Sequence, residues 1–353
     1  MEENKGKLLI KKLYETRDLT KNEWLYLLEN GDEETVGYAK ELANTVRRTY
    51  FKDTVYLRGL IEFTNYCHRH CLYCGIRSEN EKAVRYRLTK EEILACCKEG
   101  YGLGYRTFVL QGGEDIYFTD DKVEEIVHAI YENYPDCAIT LSMGERSKKA
   151  YERFYKAGAK RYLLRHETAS KALYEKLHPH MSFEHRMSCL KDLKEIGYQV
   201  GAGFMVGVPG QTYLDLVEDL LFLKAFQPHM VGIGPFMPQK DTPLGHLPSG
   251  TVELTTFLLS LIRLMLPDVL LPSTTALATL HPNGREKGLQ AGGNVVMPNL
   301  SPLSVRAKYA LYDGKACTGE ESAQCKKDLI EAIERAGFTV DLSIGNSPRS
   351  LNI

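Results

Sequence analysis

An α/β fold is predicted, a (βα)8 TIM-type barrel with N-terminal helices and a short C-terminal helical tail. Three observations predict it. Eight short apolar runs of strand character recur roughly every thirty-five residues between positions 56 and 297. Helix-patterned stretches lie between them, so the runs are joined by crossovers rather than hairpins. No G-x-G-x-x-G fingerprint follows the first run, which weighs against an open, doubly wound sheet. The length of 353 residues suits one such barrel with additions.

Residues 1–50 read as helices, because Leu8, Leu9, Leu13, Trp24, Leu25, Leu27 and Leu28 recur at helical spacing. Thr20-Lys21-Asn22-Glu23 is a capping box, with the carboxylate at the third helical position. Candidate strands follow at Tyr56–Thr64, Arg106–Gln111, Ala138–Ser142, Arg161–His166, Gln199–Met205, His229–Gly234, Leu270–Thr275 and Asn294–Met297. Helical patterns include Thr89–Gly100, Lys122–Asn133, Ser182–Ile196 and Tyr213–Phe226, and Thr89-Lys90-Glu91-Glu92 is a second capping box. No low-complexity linker divides the chain. The barrel is assigned to 51–315 and a tail to 316–353, with a last helix near Glu320–Ala336 that Gly337 is placed to end.

The balance of 45 basic and 46 acidic residues gives a net charge of −1, which offers no global field for nucleic acid or anionic lipid. The N-terminus, Met1-Glu2-Glu3-Asn4-Lys5, lacks an apolar signal region. The stretch Leu254–Leu266 is too short to span a bilayer and carries Arg263. A cytoplasmic protein is expected. Nine cysteines, an odd count with three inside eight residues, suggest reduced thiols plus a metal site, not a disulfide framework.

Those three form Cys67-His68-Arg69-His70-Cys71-Leu72-Tyr73-Cys74, a C-x3-C-x2-C loop just past the first candidate strand. In a barrel that is the mouth at which active sites are built. Three thiolates can hold three irons of a [4Fe-4S] cluster and leave the fourth open to an exchangeable ligand. Zinc with His68 or His70 as a further ligand is the alternative. Tyr73, just before the last cysteine, suits packing against an adenine.

Strand alternation points polar residues into the lumen. Arg161, Leu163, Arg165 and Glu167 share a face, either for a ligand or as an internal salt bridge. Gln111, Thr140, Ser142, Thr274 and Thr275 add polar groups at or near strand ends. Met230, Gly232 and Gly234 share a face whose small residues leave room. The expected cavity carries positive charge and hydroxyls, and suits a small anionic or zwitterionic substrate.

The cysteine loop after strand one resembles the radical S-adenosylmethionine (radical SAM) superfamily. Gln111-Gly112-Gly113-Glu114-Asp115 resembles that family's Gly-Gly-Glu element, whose backbone meets the SAM amino group. Gly201-Ala202-Gly203-Phe204-Met205-Val206-Gly207 and Gly232-Ile233-Gly234-Pro235 resemble its ribose and adenine elements. Longer strings are similar to the radical SAM maturases of [FeFe]-hydrogenase over about residues 5–340. They are Ile61-Glu62-Phe63-Thr64-Asn65, Arg161-Tyr162-Leu163-Leu164-Arg165-His166-Glu167-Thr168-Ala169, Gly232-Ile233-Gly234-Pro235-Phe236 and Asn294-Val295-Val296-Met297-Pro298-Asn299.

The resemblance implies a [4Fe-4S] cluster on Cys67, Cys71 and Cys74, SAM, and a 5′-deoxyadenosyl radical. It implies an organometallic substrate, an iron–dicarbonyl–cyanide complex of cysteine, companion maturases HydG and HydF, and an electron donor. Tyr73, Gly112, Gly113, Glu114, Ser142, Glu167, Arg186 and Ile233 would meet SAM, Arg186 facing its carboxylate. Arg161, Arg165, Tyr309 and Tyr312 would act on the substrate, and Gln111, Thr140, Met230, Thr274, Thr275 and Met297 would line its cavity. Where some family members carry three C-terminal cysteines for an accessory cluster, this chain has Cys317, Cys325 and Asp328, a poor iron–sulfur set. Cys96, Cys97, Cys137 and Cys189 are expected to be packing residues. Biotin synthase, methylornithine synthase and a non-catalytic iron–sulfur carrier or scaffold are the rival readings.

Overall fold

The computed structural model describes residues 4–316 and 322–349. Its eleven strands are β1 (Thr54–Leu57), β2 (Gly59–Thr64), β3 (Thr107–Gly112), β4 (Ala138–Ser142), β5 (Arg161–Leu163), β6 (Gln199–Ala202), β7 (Met205–Val206), β8 (Met230–Val231), β9 (Gly234–Pro235), β10 (Val295–Val296) and β11 (Thr339–Asp341). Strands β2-β3-β4-β5-β6-β8 form one sheet in that order, with every pairing parallel. Every residue of β2 is buried, as befits a parallel strand covered on both faces. An α/β fold with a parallel sheet is therefore present.

The expected strand Tyr56–Thr64 is broken at Arg58. Its first half pairs with β10 and β11, and its second half with β3. The expected strand Leu270–Thr275 is replaced by two single parallel bridges, Met230–Leu270 and Pro272–Val295. Pro272 cannot donate to a ladder, and Thr275 already opens the helix Thr275–Leu280. A further bridge joins Leu60 to Asn299. The expected strand Arg161–His166 ends at Leu163.

Helices Lys5–Thr16, Lys21–Asn30 and Glu33–Phe51 precede the sheet, and both expected capping boxes form, at Thr20 and Thr89. The apolar faces of the first helices bury Trp24, Leu27, Leu28, Ala39 and Val46 with Phe257, Leu258 and Ile262 of the helix Val252–Met265. Full burial of one Leu or Phe side chain stabilises by ~1.5–3 kcal/mol, so this cluster anchors the N-terminal helices firmly. A second cluster packs Ile61, Leu110, Leu141 and Tyr162 of the sheet against Ile93, Val127, Phe154 and Leu193 of the outer helices. Cys96, Cys97, Cys137 and Cys189 are buried in it. Among the described residues no helix is long and apolar enough to cross a membrane.

After the helix Ser322–Arg335, Gly337 adopts φ +84° and β11 docks on β1. The chain then crosses beneath the amino ends of the strands. Ile344 O accepts from Thr107 Oγ1 at 3.0 Å, and Gly345 O accepts from Arg58 Nη2 at 3.1 Å. Gly345 has φ +56°, and a Cβ there would lie 2.6 Å from the Tyr56 ring, so only glycine fits this crossing.

Candidate active site

Register sorts the inward side chains into levels. Leu60, Val109, Thr140, Arg161 and Gln199 lie across from one another near the floor, and Glu62, Gln111 and Ser142 form the level above. The cysteine loop follows β2 at the carboxyl ends. Cys67, Cys71 and Cys74 are half-buried, and burial pushes all three thiols up, Cys74 to about 12. The three sulfurs are near enough to disfavour one another's ionisation. Such thiols become thiolates only when a cationic group compensates the charge, so the donor set fits an iron–sulfur cluster.

The loop is fixed at both ends. Glu114 O accepts from His68 N–H at 3.1 Å and lies 2.6 Å from His68 Nδ1. Arg77 donates to Cys71 O at 3.1 Å and His70 O at 3.2 Å, and Leu72 N–H donates to Leu177 O at 3.0 Å. His70 Nδ1 lies 3.3 Å from the Glu79 carboxylate but has no hydrogen-bond partner among the described residues. Among the described residues no group of three His, Cys, Asp or Glu side chains is preformed around the position of one metal ion, the three cysteines included. At Gly113 a Cβ would lie 2.2 Å from Tyr66 O and 2.7 Å from Cys67 Cβ, so glycine alone lets the two loops touch.

A chain of charges runs behind the cysteines. Arg69 donates to Glu114 at 2.6 Å and to Glu145 at 2.8 Å. Glu145 also accepts from Arg186 Nε at 2.7 Å, and Arg186 Nη1 reaches Arg165 O at 2.8 Å. Arg165 and Glu167 form a salt bridge at 3.0 Å. The atom that faces Arg165 Nη2 is Glu167 Oε2, which is buried and makes no hydrogen bond of good geometry among the described residues. Tyr73 is tied through its hydroxyl to His178 Nε2 at 2.9 Å, beside the apolar cluster of Leu173, Leu177 and Phe236.

The other predicted residues separate by depth. Gln111 is half-buried and its side chain hydrogen-bonds the buried Tyr309; Tyr312 is half-buried. Ser142 is half-buried at the end of β4, and Ile233 is fully buried among Ala202 and Phe204. Arg161 lies on the floor, donating to Thr107 Oγ1 at 3.2 Å, Ile344 O at 2.9 Å and Asn346 Oδ1 at 2.6 Å. With Thr140, Met230 and Arg58 it lines a small cavity. Thr275 and Met297 line a second small cavity with Leu60, Asn299 and Lys315. Thr140 and Thr274 hold buried hydroxyls with no hydrogen-bond partner among the described residues. Arg165 and Arg161 thus lie at opposite ends of the lumen. Cys325 is buried on the last helix, and Cys317 lies outside the described residues.

Sequence reasoning missed Arg58, Glu62, Glu145 and Lys315. Arg58 is buried and donates to Met230 Sδ at 3.3 Å, and burial pulls its pKa down to about 10. Glu62 is buried on β2, takes Asn299 Nδ2 at 2.8 Å and pairs with Lys315, yet burial holds its carboxyl above the usual range. The signal for Arg58 and Glu62 was a charge inside an apolar strand, the argument applied only to Arg161 and Arg165.

A loop of three thiols over the carboxyl ends of a parallel α/β sheet, backed by a glycine-bearing turn, defines a radical SAM enzyme. The family model of the Radical SAM superfamily matches residues 61–223. The chain is 46% identical over 335 residues to the [FeFe] hydrogenase maturase subunit HydE of Thermotoga maritima, covering 94% of each chain. It is 30% identical to the 3-methylornithine synthase of Methanosarcina acetivorans, covering 93% of this chain and 92% of that one. The crystal structure of methylornithine synthase superposes with a TM-score of 0.84 at 30% identity, over 94% of this chain and 97% of that one. The chain belongs to the HydE family of the radical SAM superfamily.

Proposed function

We propose that this chain carries out the HydE step of [FeFe]-hydrogenase maturation, acting on a cysteine-bound iron–dicarbonyl–cyanide complex inside the lumen. The observation that carries this reading is the charge pattern of that lumen. Arg58 and Arg161 are buried on its floor, and among the described residues no carboxylate pairs with either. Their donors end on neutral carbonyl, amide, hydroxyl and thioether groups. Two uncompensated cations in a desolvated chamber favour an anionic guest.

In this reading Cys67, Cys71 and Cys74 hold the [4Fe-4S] cluster. The cluster and SAM, when bound, supply a 5′-deoxyadenosyl radical. Arg186, already oriented by Glu145, faces the SAM carboxylate, and Glu167, whose Oε2 also faces Arg165, accepts from a nucleoside hydroxyl. Gly112, Gly113 and Glu114 present backbone to the amino group, Tyr73 and the backbone of Ile233 flank the adenine, and Ser142 faces the SAM side of the lumen. Arg161, Arg165, Tyr309 and Tyr312 hold the substrate and exclude water, within walls set by Gln111, Thr140, Met230, Thr274, Thr275 and Met297. The bridges Met230–Leu270, Pro272–Val295 and Leu60–Asn299 support a ring of eight strand positions, a closed (βα)8 barrel over 51–315, with 1–50 and 316–353 as its additions. Companion maturases such as HydG and HydF, an electron donor and a cytoplasmic setting complete the proposal. An accessory cluster at Cys317 and Cys325 is not part of it, since the third ligand position is Asp328.

Anaerobic turnover of the reduced, cluster-loaded protein tests this. The iron–cysteine complex, lysine and dethiobiotin are offered separately, and 5′-deoxyadenosine and substrate loss are followed. Only the iron complex should be consumed. Conversion of lysine instead would replace the reading with a methylornithine synthase-like one.

A further inference from the structure

Glu167 is bracketed by a buried pair that the proposed chemistry does not use. His166 and Asp219 are both fully buried, the latter on the inward side of the helix Tyr213–Phe226. Gly203 N–H donates to His166 Nδ1 at 3.3 Å, so the ring proton sits on Nε2 and is donated to Asp219 Oδ1 at 3.2 Å. The same oxygen accepts from Ala169 N–H at 2.5 Å. One aspartate oxygen thus grips residues 166 and 169, on either side of Glu167. The imidazole packs on Phe222 and Phe204 with ring centroids 4.5 Å and 5.8 Å away, and burial keeps it neutral, with its pKa down to about 3.

Between these anchors the backbone does something a strand does not. Glu167 has φ +66°, its N–H donates to Gly203 O at 3.0 Å, and its carbonyl accepts from Met205 N–H at 3.2 Å. A non-glycine residue in the left-handed region is strained and persists only where its surroundings over-determine it. The turn takes residue 167 off the strand path of Arg161–Leu163. Asp219 is also a costly choice for mere packing, because its Oδ2 is buried in an apolar cluster without a hydrogen-bond partner among the described residues. A leucine would fill that space without the desolvation penalty.

We infer that His166 and Asp219 are positioning residues that hold Glu167 in its left-handed turn and so aim its carboxylate at bound SAM. This rests on the placement of Glu167 at the SAM site proposed above. The test compares His166→Phe, His166→Gln, Asp219→Leu and Asp219→Asn, with Glu167→Gln as reference. Three quantities are read: hydrogen exchange at the Glu167 and Gly203 amides in iron-free protein, SAM affinity of the cluster-loaded protein from its paramagnetic spectrum, and the melting temperature.

Asp219→Leu and His166→Phe should speed exchange at both amides and weaken SAM binding by about tenfold, which is ~1.4 kcal/mol. The rate of uncoupled cleavage at saturating SAM should change far less. Asp219→Asn keeps an acceptor oxygen and should restore most of the affinity. Should a bulky variant fail to fold, His166→Gln and Asp219→Asn carry the comparison. Unchanged affinity and exchange in folded His166 and Asp219 variants, while Glu167→Gln weakens SAM, would overturn the inference alone. Unchanged affinity in Glu167→Gln would overturn both it and the placement of Glu167.

Discussion

Asn346 Oδ1 lies 2.6 Å from Arg161 Nη2 and 2.9 Å from Gln199 Nε2, so one tail amide closes the floor of the lumen on two strands. Its acceptor is neutral. Beside it stand two buried guanidinium groups, and burial together with the charge of Arg58 pulls Arg161 well below its ordinary pKa.

Asn346→Ala should therefore lower the unfolding free energy by ~1–3 kcal/mol, because it leaves buried donors without an acceptor. Asn346→Asp should do the opposite and raise stability above the parent, since a carboxylate would meet the unbalanced guanidinium charge. Urea unfolding of the three proteins at neutral pH decides it. Equal midpoints for Asn346→Ala and the parent would mean that the tail does not hold the floor.

Glu145 supports two arginines at once and is itself almost wholly buried, with 2% of its side chain exposed. Glu145→Ala should cost ~3–5 kcal/mol, the range seen when one partner of a buried pair is removed. Most of that loss should come through Arg186, which is 8% exposed, whereas Arg69 at 22% can recover some hydration. Glu145→Leu combined with Arg186→Met should regain much of the loss in a double-mutant cycle, because it removes the stranded charge.

Cys71 is half-buried and sits on a loop whose anchors are backbone carbonyls and neighbouring side chains. Cys71→Ala should leave the circular dichroism and the urea midpoint of iron-free protein close to the parent, within ~0.5 kcal/mol. The same variant should form no 5′-deoxyadenosine. Cleavage at the parental rate would remove Cys71 from the cluster.

His178 is buried between Tyr73, its hydroxyl 2.9 Å from Nε2, and Tyr174 O, 2.9 Å from Nδ1. Burial depresses its pKa from 6.5 to about 3. In the unfolded chain this ring takes a proton near pH 6.5, while the folded protein refuses it until about pH 3. The sign follows: its contribution to stability is complete above pH 6.5 and is lost as pH falls toward 3. Iron-free protein should lose unfolding free energy over that window, and His178→Asn should flatten the slope by about one proton. An identical slope in the variant would show that His178 is already charged in the fold.

The cysteine loop was legible because C-x3-C-x2-C needs no tertiary context, and the helices were legible because capping boxes and apolar spacing are local. Helix Tyr213–Phe226 was expected with the bounds it adopts. The expected strand Leu270–Thr275 failed at Pro272 and at the helix that begins at Thr275, where apolar content outweighed the missing donor. Arg161 and Arg165 read as equivalent by alternation, yet one lies on the floor and the other at the mouth. The strand between them is only three residues long, and Glu167 turns out of it.

From its amino-acid order this chain determined what short-range chemistry can determine: helix starts, a parallel α/β pattern, three adjacent thiols and the family they mark. Folding alone decided that Glu145 joins Arg69 to Arg186, that Asp219 reaches His166, and that residues 344–346 seal a lumen begun at residue 54. Those pairings are up to about three hundred residues apart, and no periodicity encodes a partner at that range. They exist because a buried charge must find a counter-group wherever the fold happens to bring one.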